Sequence, residues 1–195
     1  MNRPARIILI IFGVVIVLYG GLIIYRLPAA FLRQRTNQAV AGIKARKINL
    51  VDVLGQNLPP KPEAKINNST LLGLDQNHNG VRDDLEPAIF KLYLNSARAR
   101  AAALQYALAL QTEMSAQIFN PQTLTATLQQ EDRAYFCLGD SINQSPDIVS
   151  KKLDNLFFNT PARQQQHQII FNNYMTTYTE SPGTHCDIDA KLLPN

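Results

Sequence analysis

The segment DQNHNGVRDDLE, Asp75 to Glu86, places oxygen-bearing side chains on alternate residues and follows them with a glycine and three carboxylates. Asp75, Asn77 and Asn79 precede Gly80, Val81 offers a main-chain carbonyl, and Asp83 and Glu86 complete the set. Every specified position of D-x-[DN]-x-[DN]-G-x5-E, the twelve-residue calcium-loop pattern, is satisfied. The ion dictates the chemistry. A hard cation takes six or more oxygens at about 2.3 to 2.6 Å, and short side chains on alternate residues reach it when the chain wraps. Glu86, one turn into a following helix, is long enough to close the shell with both oxygens. The competing reading is a plain tight turn, since Asp, Asn and Gly are also what turns select and Asp83-Asp84 can cap the next helix. His78 holds the fourth position, which points away from the ion, and reads as an exposed turn residue.

Ca2+ is therefore the expected cofactor. Three carboxylates tempered by two Asn and one Arg imply a modest affinity, on the order of 10⁻⁴ to 10⁻³ M, as in extracellular modules. Such a site fills outside the cytoplasm. The loop departs from a regulatory EF-hand: its aliphatic residue is Val81 with Arg82 after it, no second loop exists to pair with, and NSTLLGL before Asp75 is too short for an entering helix. It resembles the single calcium loops of dockerin and thrombospondin type 3 repeats, EF-hand-like and followed by one helix.

The other reactive residues are few. Cys137 and Cys186 lie 49 residues apart and are expected to tie a helix to the C-terminal tail in an oxidising compartment. The alternative is redox or enzymatic use of the same pair, with His185 beside Cys186. His185, Asp187 and Asp189 make a poor zinc set. Glu131-Asp132 and Asp83-Asp84 are adjacent, which on a helix sends the two side chains about 100° apart, so a solvated face and a cap are expected rather than an acid/base dyad. No nucleophile with a base, phosphate loop or H-E-x-x-H helix is present, and the chain is not expected to be an enzyme.

The elements that must position these residues start with IILIIFGVVIVLYGGLIIY, Ile7 to Tyr25, nineteen residues without a charge. As a helix it is roughly 28 Å long, enough to span a bilayer, and it exceeds the apolar run of a cleaved signal peptide. An uncleaved signal anchor is expected over residues 1–26. Cations flank both ends, Arg3 and Arg6 before and Arg26, Arg33 and Arg35 after, so the positive-inside rule does not choose an orientation. The cysteine pair and the calcium loop favour an external C-terminal domain. Residues 1–51 hold eight Lys/Arg and no acid, whereas from Asp52 onward eleven Lys/Arg face fifteen Asp/Glu. The basic excess thus belongs to the flanks of the span, where it meets lipid headgroups, and no nucleic-acid surface is expected.

Residues 27–70 read as a juxtamembrane segment, helical beyond Pro28, followed by a Pro/Gly/Asn/Ser linker at 55–70. A helical domain is expected over 71–195. Asn120-Pro121, Ser145-Pro146 and Thr160-Pro161 each pair a capping residue with Pro at the first helical position, which predicts helices at 121–138, 146–158 and 161–178. A further helix opens near Asp84 and reaches Leu94. ARARAAALQYALALQTEMSAQI follows, with an apolar face of Leu104, Ala107, Leu108, Gln111, Met114 and Ile118. Phe157, Phe158, Phe171, Tyr174 and Tyr178 read as bundle core. The fold class is all-α: a transmembrane helix, a linker, then a small helical bundle opened by the calcium-type loop.

The runs NGVRDDLE, ARAAALQYALALQ, CLGD, NTPAR and THCDID together resemble a group of largely uncharacterised bacterial extracytoplasmic proteins, over roughly residues 71 to 190. The resemblance implies the calcium-type loop, an all-helical body and the cysteine pair, with Asp75, Asn77, Asn79, Val81, Asp83 and Glu86 as ligand positions. It brings no catalytic role. The expectation is a single-pass bacterial inner-membrane protein with a periplasmic structural or interaction module. Its expected partners are the bilayer, through residues 7–25, and an envelope protein.

Overall fold

The computed structural model describes residues 3–115, 117–180 and 183–193. No strand occurs among them. The helices in chain order are α1 (Arg3–Ala45), α2 (Leu50–Val53), α3 (Ala64–Asn67), α4 (Leu85–Leu92), α5 (Ala97–Glu113), α6 (Pro121–Ser141), α7 (Pro146–Phe157) and α8 (Pro161–Tyr174), with a 3₁₀ turn at Ala190–Leu192. The chain divides into an N-terminal unit through Gln38 and a body from Ala39 onward.

In the N-terminal unit α1 continues through Pro28, as expected. Its apolar side chains, Phe12, Val17, Leu18 and Ile24 among them, are exposed. Among the described residues this is the one helix long and apolar enough to cross a membrane.

In the body the three Xaa-Pro starts lie where the capping logic puts them. Asn120 and Thr123 form a reciprocal capping box, and the Thr160 hydroxyl accepts from the Arg163 amide, while Ser145 makes no side-chain cap. Helix α8 stops at Tyr174, short of the expected 178. The Ala-rich α5 is more deeply placed than one apolar face requires. Residues on all its sides, Ala102, Leu104, Ala107 and Leu110 as well as Gln105, Gln111, Thr112 and Glu113, are buried. A helix lined by small side chains lets neighbours approach from every direction, and α2, α4, α6 and α7 all pack on it.

The expected linker is a correction. The segment expected as linker, 55–70, belongs to the body: Pro59 and Asn67 are buried within it, as are Ile43, Ile48 and Val53 before it, and Arg100 Nε donates to the Val53 carbonyl at 3.0 Å. The segment lacks apolar periodicity, and several of its ties to the body run through its main chain. Arg163, fully buried in α8, donates to the carbonyls of Asn67 (2.9 Å), Thr70 (3.2 Å) and Leu71 (2.9 Å) and to Asn68 Oδ1 (2.9 Å). A planar five-donor fork suits a curl of carbonyls, and only Arg carries one.

At the other end Cys137 and Cys186 form a disulfide. It joins α6 to the tail. Gln105 reinforces this by donating to the His185 carbonyl and accepting from the Asp187 amide, both at 2.8 Å, and Arg133 Nη2 meets Asp187 Oδ1 at 2.8 Å.

Candidate functional site

The segment 75–86 folds as a wrapped loop that delivers its last residue into the first turn of α4. Asp75 organises the turn: its Oδ1 accepts from the Asn79 amide (3.2 Å) and its Oδ2 from the Gly80 amide (3.0 Å). Gly80 sits at φ +86°, and His78, at φ 57°, is the one non-glycine among the described residues in the left-handed region. Both values fit a chain that must reverse within a few residues. Asn77 Oδ1 accepts from Asn79 N (3.4 Å) and Asn79 Oδ1 from Val81 N (2.8 Å), so the alternate side chains fold back onto the loop they belong to. The Asp83 amide donates to the Leu74 carbonyl at 2.8 Å, closing the base.

The expected ligand positions come together unequally. Glu86, 1% exposed, receives Asn77 Nδ2 at 3.2 and 3.3 Å and Asn79 Nδ2 at 2.7 Å. Asp83, fully buried, accepts from the Gln76 amide through both oxygens, at 3.0 and 3.2 Å. Val81 is buried as well. His78 is exposed, as its position implied. Asp84 precedes α4 without making a side-chain cap, because its carboxylate is engaged by Arg82 instead.

Burial pushes the Glu86 carboxyl up to about 7, against the Asn79 and Asn77 hydrogen bonds, with the charges of Asp52 and Asp83 adding to the rise. Asp83 is raised as well, by burial first, while the Gln76 amide opposes it. A carboxylate kept from water in this way bears its charge at a cost that a bound cation would offset. A cavity of about 540 Å³ lies beside the loop, lined in part by Asp75, His78, Asn79, Gln111 and Arg46. Among the described residues no three His, Cys, Asp or Glu side chains form a metal-holding group. Asp75, Asp83 and Glu86 are thus not gathered into such a group, and the other oxygens of the loop are those of the Asn77 and Asn79 carboxamides and of its main chain.

Arg82, which stood out in the sequence only as a departure from a regulatory loop, is the residue that anchors this one. It is fully buried, paired with Asp84, and placed 5.0 Å over the Phe157 ring. Its Nη1 and Nη2 donate to the Phe157 carbonyl and its Nη2 to the Leu156 carbonyl, all at 3.3 Å. These are carbonyls at the C-terminal end of α7, where helices lack intrahelical donors and cations are favoured. The neighbouring Arg163 is lowered to about 10 by its own burial and by the Arg82 charge, partly countered by Asp84.

The remaining sequence candidates separate. His185 Nδ1 lies 2.8 Å from Asp140 Oδ2, Asp187 faces Arg133, and Asp189 accepts from the Lys191 amide, so the three do not share a site. Glu131 is a correction, since its Oε1 is buried inside the bundle rather than on a solvated face. No family model, no curated protein and no solved structure matches this chain.

Proposed function

We propose that this chain is a membrane-anchored helical module in which residues 75–86 bind one calcium ion as a structural fastener. The observation that carries the reading is Glu86: a buried carboxylate at loop position twelve, reached by the side chains of positions three and five. Asp75 supports it by clamping the amides of positions five and six, which presents the loop in wrapped form. The ion would add the charge that Asp83 and Glu86 lack nearby, and would tighten the loop that Arg82 ties to α7. Asp75, Asn77, Asn79, Asp83 and Glu86 supply side-chain oxygens and Val81 a carbonyl in this reading.

The domain lies outside the cytoplasm in this proposal, where a disulfide persists and millimolar calcium fills a weak site. Its role is structural or interactive rather than catalytic, in line with the resemblance to bacterial extracytoplasmic helical proteins. The surroundings of Cys137 and Cys186 favour a permanent tie over redox use: Cys137 is 2% exposed within α6, and His185 is turned to Asp140. Calorimetric titration of the detergent-solubilised chain with calcium is the direct test. Heat of binding and a higher melting temperature in millimolar calcium than in EDTA are expected; no heat and no shift would end the proposal.

A further inference from the structure

The four long helices of the body bring ionisable groups to one buried place. Helix α5 contributes Tyr106 and Glu113, α6 contributes Glu131 and Asp132, α7 contributes Asp154, and α8 contributes His167. Tyr178 and Glu180 approach from the tail on the Asp132 side. The contacts are direct. Glu113 Oε1 lies 2.7 Å from His167 Nδ1, and Tyr106 Oη donates to Asp154 Oδ1 at 3.0 Å. Glu113 and Glu131 are within hydrogen-bonding reach of each other, and Asp132 of Tyr178.

The charges do not balance. Glu113, Glu131 and Asp154 would place three negative charges against a single imidazolium, in a site where the Glu113 side chain has no exposed surface. Glu113 Oε2 and Glu131 Oε1 are both buried and find no donor. Two ionised carboxylates are acceptors only, so neither can satisfy the other; with one proton between them, one becomes a donor and the repulsion ends. A metal ion would serve the same end, yet these side chains do not form a metal-holding group.

We infer that Glu131 keeps a buried proton with which it faces Glu113, and that its loss with rising pH loosens α8 from α5 and α6, making this cluster a pH-responsive latch. His167 is the α8 end of the latch, seated between the rings of Phe158 and Phe171 at 4.7 and 4.6 Å. The protonation directions agree with the geometry. Glu131 is raised well above the ordinary carboxyl range by burial and then by the Glu113 and Asp154 charges, and Asp154 is raised by burial. His167 is raised by its hydrogen bond to Glu113, which outweighs burial. A carboxyl raised on folding binds more protons folded than unfolded, so its contribution is lost as pH climbs from the unfolded value of 4.5 through the folded one. A raised histidine likewise contributes fully below its unfolded value of 6.5 and loses that contribution as pH climbs through its folded value. Both act in one direction.

The test is hydrogen exchange of α8 amides in the full chain, in detergent with millimolar calcium, between about pH 5 and 8. Protection factors in the wild type should fall by about tenfold or more, the equivalent of one unit of pKa linkage. In Glu131→Gln, which places a neutral donor beside Glu113, most of that fall should disappear. The loop carboxylate Glu86 is common to both proteins, so the difference isolates the cluster. A flat wild-type profile, or an equal fall in the variant, overturns the proposal. Should Glu131→Gln fail to fold, carboxyl-carbon NMR of the wild type decides. A Glu131 carboxyl that is still protonated at neutral pH supports the latch, and an ionised one refutes it.

Discussion

Arg82, the eighth residue of the loop, donates to the main-chain carbonyl of Phe157, the last residue of α7 and 75 positions away in sequence. The bond makes the loop part of the bundle rather than an appendage to it. Gly73 shows how close this packing is, because a Cβ there would stand 2.3 Å from Arg82 Cδ.

Arg82→Met should therefore lower the stability of the body by about 3 kcal/mol, the cost of leaving one partner of a buried ion pair alone. Asp84 and the carbonyls of Leu156 and Phe157 all lose their donor together. Arg82→Lys keeps the charge without the fork and should fall between the two. Urea denaturation measures both, and an unchanged midpoint in the Met variant would contradict the anchoring role.

Glu86→Gln should weaken calcium binding by about tenfold or more, since it removes the charge and one oxygen of a bidentate ligand. In EDTA the sign reverses. The carboxyl of Glu86 moves from 4.5 unfolded to about 7 folded, so its contribution to stability is lost as pH rises from the first value through the second. Above that range the variant should melt no lower than the wild type in EDTA, while gaining little from calcium. Equal calcium-induced shifts in the two proteins would remove Glu86 from the ligand set.

Gly80→Ala tests the turn itself. The backbone there is left-handed, at φ +86°, and the new Cβ would meet Leu108 Cδ1 at 2.8 Å. A loss of about 1 to 3 kcal/mol is expected from backbone strain, seen as a lower melting temperature with or without calcium. Gly42→Ala is the control, because the nearest atom lies 3.9 Å from its Cβ in a helical backbone, and it should be neutral or slightly stabilising.

Replacing Cys137 and Cys186 by Ser should cost about 4 kcal/mol on the chain-entropy account of a loop of 49 residues. The loss should be local at first. Amides of the tail held by Gln105, those of Asp187 and its neighbours, should exchange sooner, while the calcium response of the loop persists. Loss of that response together with the tail would tie the two ends of the body more closely than their contacts indicate.

Much of the fold is legible locally. A capping residue followed by Pro marks a helix start whatever surrounds it, because it concerns orphan amides within one turn, and Pro121, Pro146 and Pro161 each begin a helix accordingly. The loop pattern is local in the same sense. What was not legible depends on partners far along the chain. Segment 55–70 reads as a linker because part of what ties it to the body is main chain, the Asn67 and Thr70 carbonyls that Arg163 collects from 96 and 93 residues away. Glu131 reads as a surface acid because nothing near it reveals that Glu113 and Asp154 converge on it.

By itself the sequence determined the helical class, the single long apolar run, the spacing of a calcium-type loop and the helix starts, all consequences of periodicity and of hydrogen bonding within a turn. The tertiary structure alone decided that two arginines would be buried to hold main chain, that α5 would be covered on all sides, and that three carboxylates and a histidine would meet within the bundle. Burial is a property of what packs against a residue, and a charged side chain carries no mark in the sequence of whether a distant partner will take it out of water.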